Sequence, residues 1–292
     1  MVSNKLFPFA PHYLNRSGLR LHYLDEGTGS PVVCVHGNPT WSFFYRDVVY
    51  ALKATHRIVV PDHLGCGRSD KPDDSHYAYR LKSRIDDLEA LIDHLFPGQP
   101  VSLVVHDWGG MIGLGWAVRH PQRVSKLVVL NTAAFHQLPG KKIPWQLWMV
   151  RDTFLGPLLV RGLNGFVRGL VTSCSVRALP PEVKAGYLEP YGTWHDRLAV
   201  LRFVQDIPLR PGDPSYQTVS DIDANLSKLI SVPMMIVWGE KDFVFDLDFL
   251  AEWRRRFPRA AVHSFPDAAH LLLEDAGNKI IPLIAGHLGG VP

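Results

Sequence analysis

Residues 101–110 read VSLVVHDWGG, and they combine the signals of a strand, a tight turn and the start of a helix. Mostly apolar, β-favouring residues lead into Asp107, and two glycines follow it before a long apolar pattern of helical character. The pattern predicts that Asp107 lies at the tip of a strained strand-to-helix turn, above the carboxyl edge of a parallel sheet.

Two interpretations of Asp107 follow from this position. A carboxylate is ionised at neutral pH, so it can attack a saturated carbon without a base and form an alkyl ester, which a second step must resolve. Alternatively, an Asp before a helix commonly caps it, because the carboxylate oxygen accepts the free N–H groups of the first turn. The stretch alone does not separate the two, and the rest of the chain must decide.

The remaining apolar runs indicate further strands of the same sheet. Near-continuous apolar runs are typical of strands buried on both faces, as in a parallel sheet. They occur at 31–36, 57–62, 126–131 and 233–238, and a last strand is predicted at 261–265. Residues 19–26 alternate in polarity, which predicts a strand at an antiparallel edge. The class predicted is α/β, with a mostly parallel, doubly wound sheet.

One helix that covers this sheet is visible in the spacing of its apolar residues. Leucines and isoleucines recur every three or four positions from Leu81 to Leu95, which predicts an amphipathic helix. The same spacing predicts that four charged residues lie on the opposite, solvent-facing side of this helix: Arg84, Asp86, Asp87 and Asp93.

The strand rhythm stops between residues 134 and 211, where helix-like segments rich in Trp, Leu, Phe and Arg appear. We predict a helical cap at 134–211, inserted between a first core part at 1–133 and a second at 212–292. Residues 134–210 hold ten Lys and Arg against five Asp and Glu, so the predicted cap is basic.

Composition excludes several classes of function. The net charge of +3 and the lack of a phosphate loop or basic helix argue against nucleic-acid binding. The three cysteines, at 34, 66 and 174, have no metal-binding or redox spacing, so we predict reduced thiols, no metal and no cofactor. The first residues lack a signal-peptide pattern, and no apolar run reaches the ~20 residues of a membrane span, so we expect a cytoplasmic protein.

Two further residues support the nucleophile interpretation of Asp107. Asp242 follows a predicted buried strand, and His270 follows the last predicted strand. The order nucleophile, acid, base is that of a hydrolytic triad in which the base activates water and the acid orients the base. Residue 131, the other position where such an acid can follow a strand, is Asn, so Asp242 is the predicted acid.

Taken together, these motifs resemble the haloalkane dehalogenases of the α/β-hydrolase superfamily over nearly the whole chain. The motifs are HGNPTW at 36–41, GCGRS at 65–69, HDWGG at 106–110, GEKD at 239–242 and the loop of His270. The resemblance implies that the Asn38 amide and the Trp108 indole bind the departing halide. It also implies that the backbone N–H groups of the same two residues form the oxyanion hole.

Three other stretches are most similar to subfamily III of these enzymes: LNTAAFH at 130–136, RFVQDIP at 202–208 and DFVFD at 242–246. That branch includes the β-lactone decarboxylases of long-chain olefin biosynthesis. The resemblance therefore implies a small hydrophobic substrate, either a haloalkane or a cis-dialkyl β-lactone, with the lactone as the native one. It also implies a homo-oligomer or a multi-enzyme assembly.

Other protein classes with this fold can be distinguished from the haloalkane dehalogenases at single residues. Epoxide hydrolases resemble the same turn but need cap tyrosines to protonate an alkoxide, for which Tyr187, Tyr191 and Tyr216 are candidates. Fluoroacetate dehalogenases place Arg where this chain has Trp108. An Asp nucleophile excludes the serine esterases. A noncatalytic binding protein of the same fold usually has a broken triad, whereas this triad is intact.

The basic cap has two interpretations as well. Most cationic side chains on helices are simply solvated. Alternatively, cations and aromatic residues that alternate in the cap form a surface for anionic lipid or for a partner enzyme. These residues are Lys141, Lys142, Arg151, Arg161 and Arg168, with Trp145, Trp148, Phe154 and Phe166.

Overall fold

A computed structural model describes residues 5–289 and contains a sheet of eight strands. The strands lie in the order β1-β2-β4-β3-β5-β6-β7-β8. Their bounds are β1 His12–Arg16, β2 Leu19–Glu26, β3 Ser30–Val35, β4 His56–Pro61, β5 Val101–His106, β6 Val124–Leu130, β7 Met234–Gly239 and β8 Ala261–Phe265.

Neighbouring strands pair in parallel along the series β4, β3, β5, β6, β7 and β8. Strand β2 pairs antiparallel with both β1 and β4. This confirms the predicted mostly parallel α/β sheet. The prediction that residues 19–26 form the edge was wrong, because β1 pairs along the outer side of β2. The sequence of β1, HYLNR, alternates between exposed and half-buried residues and is too short and polar to give a clear strand signal.

Helices cover both faces of the sheet, as a doubly wound fold requires. Their bounds are α1 Arg46–Leu52, α2 Leu81–Leu95, α3 Trp108–Arg119, α4 Trp145–Asp152, α5 Gly165–Ser173, α6 Pro181–Leu188, α7 Leu198–Gln205, α8 Tyr216–Asn225, α9 Leu247–Arg256 and α10 Leu272–Gly289. Helices α2, α3, α8 and α9 contribute to one large apolar core, and α1 and α10 contribute to the other.

The predicted charged side of α2 faces solvent only in part: Asp93 is exposed and Asp86 half-buried, whereas Arg84 and Asp87 are buried. The guanidinium of Arg84 is fully buried, 3.6 Å from the centre of the Phe203 ring and 3.6 Å from Asp206 Oδ2. Asp87 is buried too, and it accepts hydrogen bonds from Arg16 and Tyr77. The spacing in α2 could not show this, because the covering groups come from distant segments, among them α7.

Helices α4 to α7 lie between β6 and α8 in the chain, inside the predicted cap. They share a small apolar core of their own, to which Val150, Val167, Val200 and Leu201 contribute. The boundaries at 134 and 211 stay a prediction.

All three cysteines are free and buried, as predicted for reduced core thiols. Within residues 5–289, every helix is too short or too polar to cross a lipid bilayer.

Candidate active site

Asp107 lies between β5 and α3 with φ 51° and ψ −128°. A positive φ is rare for a residue with a side chain, and such strain persists only where the surroundings enforce it. Although Asp107 occupies the position before the helix, its side chain makes no capping hydrogen bond to α3. The helix-cap interpretation therefore fails, and the carboxylate remains available for another role.

Two glycines allow the turn to form. A Cβ atom on Gly37 would lie 2.1 Å from Asp107 Oδ2, and a Cβ atom on Gly109 would lie 1.9 Å from the carbonyl oxygen of Val35. Both distances are far below van der Waals contact. Glycine at 37 lets the loop after β3 approach the carboxylate, and glycine at 109 lets the start of α3 approach the end of β3.

The Asp107 carboxylate faces two backbone donors. Its Oδ2 accepts a hydrogen bond of 2.6 Å from the backbone N–H of Asn38. Burial raises the pKa of this carboxyl, while the positive charge of His270 and the N–H groups of Asn38 and Trp108 act in the opposite direction. Backbone N–H groups, a type of donor that can stabilise an oxyanion, therefore lie beside the Asp107 carboxylate.

His270 and Asp242 form a buried pair next to Asp107. Nδ1 of His270 lies 2.8 Å from Asp242 Oδ2. Burial alone would lower the pKa of His270, but Asp242 and Asp107 outweigh it and raise the pKa to about 9. The other oxygen of Asp242 accepts the backbone N–H groups of Val244 at 2.8 Å and Phe245 at 3.2 Å, which fix its orientation. The three predicted triad residues are therefore brought together in one site.

Asn131 is a residue of this site whose role the sequence did not reveal. It follows β6, and its side-chain nitrogen donates to Asp242 Oδ2 at 3.1 Å and to the Gly239 carbonyl at 3.0 Å. Its side-chain oxygen accepts the N–H of Gly239 at 2.7 Å. In the sequence, position 131 shows only that an Asn stands where a catalytic acid could have been. A polar residue at the carboxyl end of a buried strand, beside the strand that carries the acid, is the signal that could have found it.

We expect Asn131→Ala to slow hydrolysis of a bromoalkane, the reaction in which His270 would act as the base, because Asp242 loses a donor that fixes its carboxylate. A hydrogen bond to a charged group contributes about 1.5–3 kcal/mol, which corresponds to roughly a ten- to hundredfold loss in kcat. Steady-state kinetics would measure it, with Asn225→Ala at the half-buried end of α8 as the control. Equal kcat in both variants would show that Asn131 does not support the acid.

A mostly apolar cavity of about 310 Å³ opens onto Asp107 and His270. Asn38 and Trp108 line it, together with side chains from α4 and α5 such as Leu147 and Phe166. The Asn38 amide donates to the Val200 carbonyl at 3.2 Å, which ties it to α7. The indole N–H of Trp108 has no hydrogen-bond partner within residues 5–289, so it is free to bind a ligand.

The three candidate tyrosines, Tyr187, Tyr191 and Tyr216, do not line this cavity. The Tyr187 hydroxyl donates to Glu274 at 2.6 Å, and the Tyr191 hydroxyl donates to the Thr40 carbonyl at 3.5 Å. Tyr216 stacks on His136, with the ring centres 4.2 Å apart. Since an epoxide hydrolase needs a tyrosine at the departing alkoxide, the cavity does not favour that alternative.

Comparison with known proteins places this chain in a family. Residues 30–277 match the family model described as "alpha/beta hydrolase fold". The chain belongs to the α/β-hydrolase family. This α/β hydrolase is 54% identical over 278 residues to a cis-3-alkyl-4-alkyloxetan-2-one decarboxylase of Shewanella oneidensis, covering 94% of this chain and 87% of that protein.

A second decarboxylase of the same name, from Xanthomonas campestris, is 43% identical to this α/β hydrolase and covers 97% of each chain. Among solved structures, haloalkane dehalogenase DbeA from Bradyrhizobium elkani is 26% identical, with a TM-score of 0.83, over 96% of this chain and 99% of that one. The resemblance to haloalkane dehalogenases and β-lactone decarboxylases is thereby confirmed, and this α/β hydrolase is an enzyme.

Proposed function

We propose that this α/β hydrolase converts cis-3,4-dialkyl β-lactones to alkenes, with Asp107 as the nucleophile. The observation that carries the proposal is the strained Asp107 carboxylate at the floor of a mostly apolar cavity. The two decarboxylases with which the chain shares 54% and 43% identity are named for an oxetan-2-one, which is a β-lactone. A dialkyl lactone fits such a cavity because its surface is almost entirely hydrocarbon.

In the first step, an oxygen of Asp107 attacks C4 of the lactone, the saturated carbon that bears the ring oxygen. The C4–O bond breaks, its electron pair stays on the oxygen, and the opened ring carries a free carboxylate. The leaving group is thus an anion, which the Trp108 indole N–H can receive as a donor without acceptor capacity. The second side-chain donor proposed for the leaving group is the Asn38 amide.

In the second step, the bond between C3 and the carboxylate breaks and carbon dioxide departs. The released electron pair forms the C3=C4 double bond, and the C4–O bond to Asp107 breaks to return the carboxylate. One lactone yields one alkene and one carbon dioxide, and no water is consumed. The route therefore needs no base to activate water.

The same geometry supports dehalogenation of bromo- or iodoalkanes as a second activity, since DbeA and similar structures are haloalkane dehalogenases. Asp107 displaces halide, and His270 then removes a proton from the water that attacks the ester. Ester formation removes the negative charge of Asp107, one of the causes that raise the pKa of His270. The base therefore becomes easier to deprotonate once the ester exists.

A parallel assay tests the proposal. The purified protein receives a cis-dialkyl β-lactone or a bromoalkane of similar length, and alkene and bromide are measured over time. We expect alkene from the lactone at a much higher kcat/KM than bromide from the bromoalkane. Bromide without alkene would make dehalogenation the main reaction and contradict the lactone assignment.

A further inference from the structure

Helix α4 and the segment after it expose large apolar side chains to solvent. Trp145 is 65% exposed, Trp148 52%, Phe154 89%, Leu158 55% and Leu163 58%. We refer to these five residues as the apolar patch. A cluster of this size is more than the scattered apolar residues of an ordinary protein surface, and it indicates an interaction site.

Two parts of the apolar patch have exposed apolar neighbours of their own. Trp145 and Trp148 are three residues apart on α4, so they share one side of the helix. Leu158 and Trp194 both lie beside Gly162, with side-chain atoms 3.0 and 3.6 Å from where its Cβ would be. Trp194, which is 48% exposed, extends the apolar surface beyond residues 145–163.

The surroundings of the apolar patch are strongly basic. Residues 141–177 contain six Lys and Arg and a single acid, Asp152. The structure corrects part of the predicted cationic surface, because Lys141 pairs with Asp246 and Asp248 and Arg151 pairs with Asp152 and Asp213. Phe166 lines the cavity rather than the surface.

Three cations of this region remain exposed and form no ion pair within residues 5–289: Lys142, Arg168 and Arg177. The guanidinium of Arg161 lies over the Trp194 ring at 4.6 Å. The unpaired exposed charge of residues 141–177 is therefore positive and complements an anionic surface.

Helix α4 also connects the apolar patch with the cavity. Leu147 on the same helix lines the cavity, and so does Ile143 just before it, while Trp145 and Trp148 are exposed. Helix α4 therefore has one side on solvent and another on the cavity.

We propose that the apolar patch and its basic surroundings dock on the surface of an anionic lipid bilayer. The Trp and Phe side chains would insert at the level of the lipid headgroups, where aromatic rings are favoured, and the free cations would contact anionic headgroups. Docking brings the cavity next to a store of water-insoluble substrate. The inference does not depend on which bond Asp107 cleaves.

Vesicle flotation tests this docking with the full-length protein. Vesicles of phosphatidylcholine alone are compared with vesicles that also contain phosphatidylglycerol. We expect the parent protein to float with the anionic vesicles and to remain largely unbound with the neutral ones. Absence of flotation with anionic vesicles would overturn the proposal, as would equal flotation with both kinds.

Two variants separate the apolar and the ionic contributions. The triple variant W145S/W148S/F154S removes exposed aromatic surface, and K142E/R168E reverses two unpaired charges. Each is expected to reduce the vesicle partition coefficient about tenfold or more, since each lipid-facing cation contributes roughly a fivefold factor and aromatic insertion adds to it. None of these residues lines the cavity, so thermal unfolding of both variants should match that of the parent.

Control variants carry comparable substitutions at exposed positions elsewhere. Tyr50→Ser with Ile230→Ser controls for lost apolar surface, and Lys228→Glu with Arg254→Glu controls for reversed charge. The proposal would be overturned if these control variants reduced flotation as much as the cap variants do. A second result would also overturn the proposal: the parent protein self-associates in sedimentation runs, and W145S/W148S/F154S abolishes this self-association but still binds vesicles. The apolar patch would then face a second copy of the chain.

Discussion

Asp107→Asn should abolish turnover of both a β-lactone and a bromoalkane. The amide has almost the same shape as the carboxylate but lacks the charge and the nucleophilic oxygen, so no ester can form. Removal of a nucleophile in a triad enzyme costs about 10⁴- to 10⁶-fold in kcat, and we expect a loss of this order. Single-turnover assays with product detection would measure it.

The matched control is Asp93→Asn on α2, which makes the same chemical change at an exposed carboxylate. It should retain the kcat of the parent. Asp107→Ala is measured in addition, because hydrolysis of the new amide could regenerate aspartate in the Asn variant. Substantial alkene or bromide release by Asp107→Ala would remove Asp107 from the mechanism.

His270→Ala should separate the two reactions. With a bromoalkane we expect a burst of about one bromide per site followed by turnover slowed roughly 10³-fold or more, because attack proceeds while the ester finds no base. The lactone route consumes no water, so alkene formation should fall far less. His94→Ala, an exposed histidine on α2, is the control and should behave like the parent.

The pH dependence of the parent follows from the same residue. His270 accepts a proton from water only when it is neutral, and its pKa in the resting site is raised to about 9. Bromoalkane turnover should therefore fall as the pH drops through the pKa of His270 in the ester, which lies below the resting value. Lactone turnover should not show this fall. Protonation of Asp107, whose pKa burial raises, should slow both reactions alike. A decline of lactone turnover at the same pH as the decline that His270 causes in bromoalkane turnover would contradict the division between the two routes.

Much of this site could be predicted because its signals are local. The apolar run into Asp107, the glycines after it, and the acid and base that follow later strands are all written in short stretches of sequence. The carboxyl ends of parallel strands meet at one edge, so Asp107, Asp242 and His270 could be expected to lie together. The cavity lined by Asn38 and Trp108 lies where the resemblance implied, although their role in holding a leaving group stays a proposal.

What could not be predicted depends on contacts between distant segments. Arg84 fits the polar side of an isolated helix, yet Phe203 and Asp206, more than a hundred residues later, enclose it. The contact of Asn131 with Asp242 depends on the register of β6 beside β7. The residue type at position 131 therefore showed only that this position does not supply the acid. Homo-oligomeric assembly and a cytoplasmic location stay predictions.

The site of alkylation tests the central claim most directly. His270→Ala is mixed with a bromoalkane, quenched during the burst, digested and sequenced by tandem mass spectrometry. The account predicts one alkyl group per chain, located on the side chain of Asp107 and absent when the Asp107→Asn change is added. An unmodified Asp107 after a full burst of bromide, or an alkyl group on another residue, would contradict it.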